Sequence, residues 1–150
     1  MIQTERPPRV AVRGLLLRDD RLLLVNAYPG DVSDLWCAPG GGVERHVSLS
    51  DNLIREMHEE TGLDVEVGAP VLVNEFHAPD DDFHQVEIFF RVRAEGDLPP
   101  RWTDPEGVVK TRQFFGREDA AGLRVKPDSL LAAAWGDGVL AYDSLERLVK

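Results

Sequence analysis

The stretch Gly41–Leu63 has the sequence GGVERHVSLSDNLIREMHEETGL, which predicts a glycine turn followed by an amphipathic helix. On that helix Glu56, Glu59 and Glu60 recur at i, i+3 and i+4, so their side chains share one face. Three neighbouring carboxylates repel each other unless a cation lies among them, and a hard divalent cation such as Mg²⁺ takes oxygen ligands. A glycine-rich turn near a helix also lets phosphate oxygens approach backbone N–H groups. The stretch therefore predicts a metal and phosphate site, and with it phosphoryl chemistry.

The predicted helix has defined ends. Ser48 or Ser50 can accept a backbone N–H at its start, and Ser48–Asp51 has the form of a capping box. Gly62 is expected to end the helix, because glycine readily adopts the left-handed conformation found there. The apolar stripe expected to face the core consists of Leu49, Leu53, Ile54 and Met57. The glutamates lie beside this stripe, so the helix is expected to pack on the core while its carboxylates face a cleft.

The rest of the chain contains both strand and helix patterns. Residues 10–17 and 21–27 are apolar and β-prone around a polar turn, which predicts a β-hairpin. Further strands are predicted at residues 35–38, 65–76 (interrupted at 68–70), 84–93 and 108–115, a polar loop at 78–82 and a second helix at 128–135. This mixture predicts an α+β fold in which a sheet packs between helices.

Composition narrows the functional classes. The chain has 150 residues with 43% apolar and 29% charged content, which fits one domain with a hydrophobic core. Its net charge of −10 argues against electrostatic binding of duplex nucleic acid or of an anionic membrane. Cys37 is the single cysteine, so no internal disulfide can form and a reducing, cytoplasmic location is expected. Residues 1–8 are expected to be a loose leader, and no apolar run is long enough to span a bilayer.

The stretch Gly41–Leu63 resembles the signature motif of the Nudix hydrolases. The matching positions are Gly41, Arg55, Glu56, Glu59, Glu60, Gly62 and Leu63, and Met57 is an acceptable aliphatic residue within the motif. The preceding sequence LWCAPGGGVE, at residues 35–44, also looks like the family. A match of this length is far more specific than a lone glycine motif. The resemblance implies a single Nudix-like domain over residues 1–150, an α/β/α sandwich with a mixed central β-sheet.

The resemblance also implies the chemistry. Glu56, Glu59 and Glu60 are expected to hold Mg²⁺ or Mn²⁺, Glu59 and Arg55 to take part in catalysis, and Gly40, Gly41 and Gly42 to form the loop that meets substrate phosphates. The expected reaction is hydrolysis of a diphosphate bond by a metal-activated water. The substrate class is a nucleoside diphosphate linked to another moiety, as in a nucleoside triphosphate, a nucleotide sugar or ADP-ribose. A small-molecule substrate is thus the expected partner, and a homodimer is a further possibility.

One position departs from the motif. Its first Glu falls on Val47 here, and the Gly that usually precedes it falls on His46. In the family that Glu typically helps to fix the loop through the motif's Arg, so Arg55 is left to pair with Glu56 or Glu59. Two interpretations stay open: an altered but working enzyme, and a degenerate domain that binds nucleotide or a protein partner without turnover.

Relatives often recruit a further carboxylate from outside the motif, as a metal ligand or a general base. Glu106 is the first choice, because it lies in a loop before the predicted strand 108–115. Glu87 is the second, because a charged side chain on an otherwise apolar strand needs a reason, although an ion pair on a solvent-facing side would also explain it. Glu75 is a weaker third. A carboxylate beside a metal can take a proton from water.

Several other residues are expected to have ordinary structural roles. His58 is predicted to be a surface residue, because it projects away from the glutamate face. His77 and His84 are interpreted as solvated loop residues, and Cys37 as a packing residue. For the aromatic residues Trp36, Phe83 and Trp102, stacking on a nucleobase and packing in the core stay open as alternatives.

Overall fold

The computed structural model describes residues 6–26, 33–100, 102, 104–105 and 111–149. Its strands are β1 (Arg9–Arg18), β2 (Arg21–Asn26), β3 (Leu35–Trp36), β4 (Gly40–Gly42), β5 (Glu66–Ala78), β6 (Phe83–Arg93), β7 (Thr111–Gly116), β8 (Arg124–Val125) and β9 (Ala141–Arg147). Its helices are α1 (Leu49–Thr61), α2 (Arg117–Ala121) and α3 (Leu130–Ala134), and a 3₁₀ turn covers Pro79–Asp81.

The central sheet is mixed, as expected. Its strand order is β7-β2-β1-β6-β5-β9, and β4 pairs with β1 beside this path. The pairs β1–β6 and β5–β9 are parallel, whereas β1–β2, β1–β4, β2–β7 and β5–β6 are antiparallel. The short strands β3 and β8 form a separate parallel pair.

Helices pack on both faces of the sheet. Successive side chains of β1 point to opposite faces, so this strand contributes residues to both packing layers. On one face Val12 and Leu16 pack in the same buried cluster as Leu53 and Met57 of α1. On the other face a second cluster brings Leu15 together with Phe89 of β6 and Leu130 of α3. The α+β sandwich predicted from the sequence is therefore confirmed.

Helix α1 has the predicted ends. The Ser48 hydroxyl accepts the Asp51 N–H at 3.0 Å, and Gly62 is left-handed at φ 80° with its N–H bonded to the His58 carbonyl at 2.9 Å. The predicted apolar stripe is wrong in one member, because Ile54 is 37% exposed. The stripe beside Leu53 is instead completed by polar residues that turn inward, namely Asn52, Glu56 and Glu60.

The remaining strands match the sequence patterns with a few differences. The hairpin of β1 and β2 turns at two left-handed residues, Asp19 and Asp20, as short hairpins require. The expected interruption at residues 68–70 is a pair of register shifts within the continuous strand β5. The predicted loop at 78–82 contains the 3₁₀ turn, and the helix predicted at 128–135 is shorter than expected. Of the strand predicted at 108–115, residues 108–110 lie outside the described residues.

Strand β9 has no counterpart among the sequence-based predictions. It forms an edge of the sheet, and most of its residues are exposed, so its sequence lacks the alternation of buried and exposed residues that identifies a strand. Its pairing with β5 holds it in place. None of the helices that the structure describes has the length and apolar character needed to cross a membrane.

Candidate functional site

A cavity of about 300 Å³ opens where β1 changes its partner. The first half of β1 pairs with β4 through Ala11–Arg13, whereas its end pairs with β2 through Leu17–Arg18. The acidic residues lining the cavity are Glu56, Glu60, Glu87 and Glu146, and the basic ones are Arg9, Arg13, Lys126 and Arg147. An apolar wall is formed by Val25, Leu35, Phe76, Phe89 and Leu148. The volume is at the lower end of the range of small-molecule sites.

The three glycines form a strand, and the predicted loop conformation is wrong. Gly40, Gly41 and Gly42 pair in register with Arg13, Val12 and Ala11 of β1. Strand residues alternate in direction, so Gly41 faces α1 and Gly42 faces the opposite side. Side chains at two of these positions would displace charged groups, because a Cβ on Gly41 would lie 2.6 Å from the Glu56 carboxylate and one on Gly42 would lie 2.2 Å from an Arg9 nitrogen. Contact of this strand with substrate phosphates stays a prediction.

Two of the three predicted metal ligands lie at the cavity. Glu56 and Glu60 are 8% and 6% exposed, and both carboxylates reach the cavity past the glycine strand. Glu60 is also fixed by a backbone donor, because the Gly40 N–H donates to its Oε2 at 2.8 Å. Both carboxylates lie close enough to the cavity for an ion there to reach them, and their role as metal ligands stays a prediction.

The third predicted ligand, Glu59, points elsewhere. The Arg55 Nη1 donates to both Glu59 oxygens, at 3.0 and 3.2 Å. Among the residues that the structure describes, no three Asp, Glu, His or Cys side chains converge on one point that would hold a metal ion. The complete ligand set therefore stays a prediction, with Glu56 and Glu60 in place and Glu59 engaged by Arg55.

Arg55 has partners despite the valine at position 47. Its guanidinium lies 3.3 Å from Glu56, 3.0 Å from Glu59 and 3.4 Å from Glu44. Pairing with Glu56 and Glu59 was predicted, whereas Glu44 was not identified from the sequence. Val47 is 37% exposed, so the missing carboxylate leaves no buried hole.

The charge of Glu60 is sensitive to its surroundings. Burial raises the pKa of Glu60 to about 7, and repulsion from Glu56 and Asp104 acts in the same direction. The Arg13 guanidinium and the Gly40 N–H oppose this shift. A cation bound at the cavity would favour the ionised carboxylate for the same electrostatic reason.

Glu87 lies at the cavity, but the structure gives it a partner. Its Oε2 accepts from the Arg13 Nε at 2.5 Å, and the two side chains are 7% and 19% exposed. The structure thus shows an ion pair, but a buried one and not the solvent-facing pair of the alternative, and a role for Glu87 as a further ligand or general base stays a prediction. Burial by itself would lower the pKa of Arg13, but the combined effect of Glu87, Cys37 and Glu60, of which Glu87 is the largest, keeps that pKa above its ordinary value.

The other predicted carboxylates are less well placed. Glu106 lies outside the described residues, so its role stays a prediction. Glu75 is not part of the cavity lining; it accepts a hydrogen bond from the Tyr142 hydroxyl and lies 3.9 Å from His84. Asp104, two positions before Glu106, is 4% exposed and acts electrostatically on Glu60. The sequence offered no reason to prefer it, because both acids belong to one polar loop.

Two arginines of β1 were also missed by the sequence analysis. Arg9 and Arg13 alternate with Val10 and Val12, and a charged residue within an apolar strand is the same pattern that drew attention to Glu87. The Arg9 guanidinium lies over Gly42 and donates from Nη1 to the buried Gln85 Oε1 at 2.9 Å. Across the described part of the chain, no carboxylate forms an ion pair with Arg9. Its charge is therefore available to an anion in the cavity.

The remaining residues singled out in the sequence have structural contacts, and the interpretation of His77 and His84 as loop residues is wrong, because they pair with each other in β5 and β6. His58 is largely exposed and lies 3.0 Å from Asp64, which confirms a surface position. Burial raises the pKa of Cys37 to about 11, so its thiol is protonated at neutral pH, as expected of a packing residue. The aromatic residues pack within the protein: Trp36 against Phe115, Phe83 against Phe76, and Trp102 under the Arg112 guanidinium.

Comparison with known proteins places these features in context. A family model described as the NUDIX domain matches residues 7–135. Diphosphoinositol polyphosphate phosphohydrolase 3-alpha of Mus musculus is 32% identical over 105 residues, which are 69% of this chain and 59% of that protein. ADP-ribose pyrophosphatase of Methanocaldococcus jannaschii is 33% identical over 85 residues, 55% of this chain and 49% of that protein. The chain thus spans about half to three-fifths of the length of these relatives.

Solved structures share the fold. A MutT protein from Bacillus halodurans superimposes with a TM-score of 0.73 at 20% identity, covering 91% of this chain and 88% of that one. A NUDIX hydrolase from Nitrosomonas europaea gives a TM-score of 0.71 at 19% identity, covering 85% and 86%. At these identities the likeness establishes the architecture alone.

Proposed function

The chain belongs to the Nudix hydrolase family, and from this premise we propose that its cavity hydrolyses the diphosphate bond of a nucleoside diphosphate linked to another moiety. The observation that carries the proposal is the meeting of Glu56 and Glu60 with the glycine strand at one cavity. The family supplies the reaction type, and acidic, basic and apolar groups line the same cavity.

The donor set fits Mg²⁺ or Mn²⁺. Glu56 and Glu60 offer oxygen ligands, the type that hard divalent cations take, and their burial at one cavity leaves repulsion that a cation would relieve. We assign Glu59 to the same ligand set once it leaves Arg55. When bound, the cation would neutralise diphosphate charge and lower the pKa of a water molecule.

The chain's own groups account for binding and orientation. The Gly40 N–H holds the Glu60 carboxylate at the cavity, and Arg55 restrains Glu56 and Glu59 on the helix. Arg9 lies above Gly42 and pairs with no carboxylate of the described residues, so it is suited to a phosphate oxygen. The glycine strand leaves room for such a group, because it carries no side chains.

A nucleotide-type substrate fits the cavity better than an inositol polyphosphate does. The apolar wall that includes Phe76 and Phe89 suits a planar base, whereas a polyphosphate needs many unpaired cations. Of the basic residues at the cavity, Arg13 is paired with Glu87, and Lys126 lies 2.7 Å from Asp128. The relatives are named for both substrate classes, one as an ADP-ribose pyrophosphatase and one as a diphosphoinositol polyphosphate phosphohydrolase, so the choice rests on the cavity lining.

The second candidate is a degenerate domain that binds nucleotide or a protein partner without turnover. Val47 in the signature motif is the observation that favours it. Against it stand the three carboxylates that already surround Arg55. A reducing, cytoplasmic location and a homodimeric state accompany either function as sequence-based predictions.

A substrate screen tests the proposal. Hydrolysis of nucleoside triphosphates, nucleotide sugars, ADP-ribose and a diphosphoinositol polyphosphate is followed by chromatography of both phosphate-containing products, with Mg²⁺, with Mn²⁺ and with EDTA. We expect metal-dependent turnover of a nucleotide substrate, and a loss of at least about 100-fold in kcat for Glu60→Gln and for Glu59→Gln. Glu66→Gln is the control, since Glu66 is 77% exposed at its side chain and lies outside the cavity lining.

The outcomes separate the two candidates. Nucleotide binding without turnover on any compound would support the degenerate domain. Unchanged activity in both Glu60→Gln and Glu59→Gln would reject the metal assignment.

A further inference from the structure

We propose that Glu87 is a positioning residue, which acts through Arg13 and the glycine strand to hold the Glu60 carboxylate at the cavity. The inference rests on the proposed function, because it gives Glu60 a metal-binding task. It replaces the expectation that Glu87 itself serves as an extra ligand or general base. A continuous series of hydrogen bonds joins the two glutamates.

The first contact joins neighbouring strands. Arg13 of β1 and Glu87 of β6 lie on parallel strands of the central sheet, and Arg13 Nε donates to Glu87 Oε2 at 2.5 Å. Both side chains are largely buried, so the pair has little screening by water. The guanidinium is therefore fixed in one orientation by its Nε edge.

The second contact carries that orientation to the glycine strand. The Arg13 Nη1 donates to the Ala38 carbonyl at 3.1 Å and to the Gly40 carbonyl at 3.4 Å. These carbonyls flank Pro39, directly where the chain enters β4. Because a guanidinium is planar and rigid, fixing its Nε edge also fixes where its Nη1 donors point.

The third contact reaches the metal site. The N–H of Gly40, on the same residue whose carbonyl Arg13 contacts, donates to Glu60 Oε2 at 2.8 Å. A shift of β4 would move this donor and release the carboxylate. Outer partners of this kind orient metal ligands, and their loss typically costs about 10–100-fold in metal affinity or activity.

Substitution by glutamine distinguishes the positioning role from a direct one. In Glu87→Gln the amide oxygen can still accept from Arg13, whereas Glu87→Leu removes the acceptor at similar volume. A general base needs the carboxylate itself, and a neutral amide oxygen is a weaker ligand for a divalent cation, so for a direct role Glu87→Gln would also be clearly damaging.

The first measurement needs neither metal nor substrate. Amide hydrogen exchange at Gly40 is followed by NMR in the metal-free protein. We expect exchange at least about tenfold faster in Glu87→Leu and within about threefold of wild type in Glu87→Gln. Glu66→Leu is the control: it removes a comparable contact of 2.6 Å with Arg93, but that pair is exposed and distant from β4 in the sheet register.

The second measurement is Mn²⁺ affinity by calorimetry, with a double-mutant cycle. We expect Glu87→Leu to weaken Mn²⁺ binding about 10–100-fold, and Glu87→Gln to stay within about threefold of wild type. Combining Glu87→Leu with Arg13→Met should cost no more than Glu87→Leu does, because both interrupt one series of contacts. The double variant also removes the unpaired buried charge, which favours folding.

Two results would overturn the inference. One is Glu87→Gln losing as much Mn²⁺ affinity as Glu87→Leu; the other is unchanged Gly40 exchange in Glu87→Leu. If the wild type hydrolyses no compound of the screen, the proposed function fails, yet the exchange measurement still decides whether Glu87 holds the glycine strand.

Discussion

The Arg9 guanidinium occupies the space that a side chain at Gly42 would take: a Cβ built on Gly42 lies 2.2 Å from Arg9 Nη2. The buried Gln85 amide holds the other side of the guanidinium at 2.9 Å. A neutral amide positions the charge without neutralising it, unlike the carboxylates that pair with Arg13 and Arg55. Among the described residues no carboxylate forms an ion pair with Arg9, so in a chain of net charge −10 we propose this cation as a contact for the substrate diphosphate.

The first prediction concerns Arg9. We expect Arg9→Gln to raise KM for the diphosphate substrate about tenfold or more with little change in kcat, because a hydrogen bond to a charged group contributes about 1.5–3 kcal/mol. Gly42→Ala should raise KM in the same direction by displacing the flexible guanidinium. Steady-state kinetics measure both, with the exposed Arg117→Gln as control. An unchanged KM in Arg9→Gln would exclude the contact.

The second prediction concerns Gly40. Its φ of 151° is unfavourable for other residues, and a Cβ there would lie 2.0 Å from the Val12 carbonyl oxygen. We expect Gly40→Ala to lower the free energy of unfolding by about 3 kcal/mol or more, since backbone strain and overpacking add. Gly122→Ala is the control, because Gly122 is right-handed at φ −84° and its nearest such contact is 3.5 Å away. Urea unfolding compares them, and equal stabilities would contradict the close approach.

The third prediction is a pH dependence of stability in the metal-free protein. Burial raises the pKa of Glu60 from 4.5 to about 7, so the folded state holds this proton more tightly than the unfolded state. The resulting stabilisation is complete below pH 4.5 and is lost as pH rises to about 7, with a magnitude of about 3 kcal/mol. Urea unfolding in EDTA from pH 5 to 8 should therefore show a steeper decline for wild type than for Glu60→Gln. Parallel pH profiles would show that Glu60 titrates normally.

The fourth prediction concerns Val47. We expect Val47→Glu to change kcat/KM by less than about threefold, because Arg55 already has Glu44, Glu56 and Glu59 within 3.4 Å. Another carboxylate at an exposed position adds little to such a group. Val47→Gln controls for side-chain length. A gain of tenfold or more in Val47→Glu alone would show that the departure from the motif limits the enzyme.

The helix and its ends could be predicted because they depend on neighbours in the chain. The Ser48 cap and the Gly62 stop are local hydrogen bonds and backbone preferences, and the spacing of Glu56 and Glu60 follows from helical geometry. Ile54 was misassigned because periodicity does not say how wide the buried face is. Strand β9 was missed because it is an exposed edge strand whose conformation depends on pairing with β5, a residue-to-residue contact that the local sequence does not reveal.

The sequence by itself determined the family, the mixed α+β fold and the identity of the acidic residues on α1. Only the tertiary structure decided what those residues touch: Glu60 is held by Gly40, Glu59 is engaged by Arg55, and Glu87 is paired with Arg13. These contacts join residues up to 74 positions apart in the chain. Local preferences carry no information about such distances, because strand pairing and the burial of charge are settled only when the whole sheet has formed.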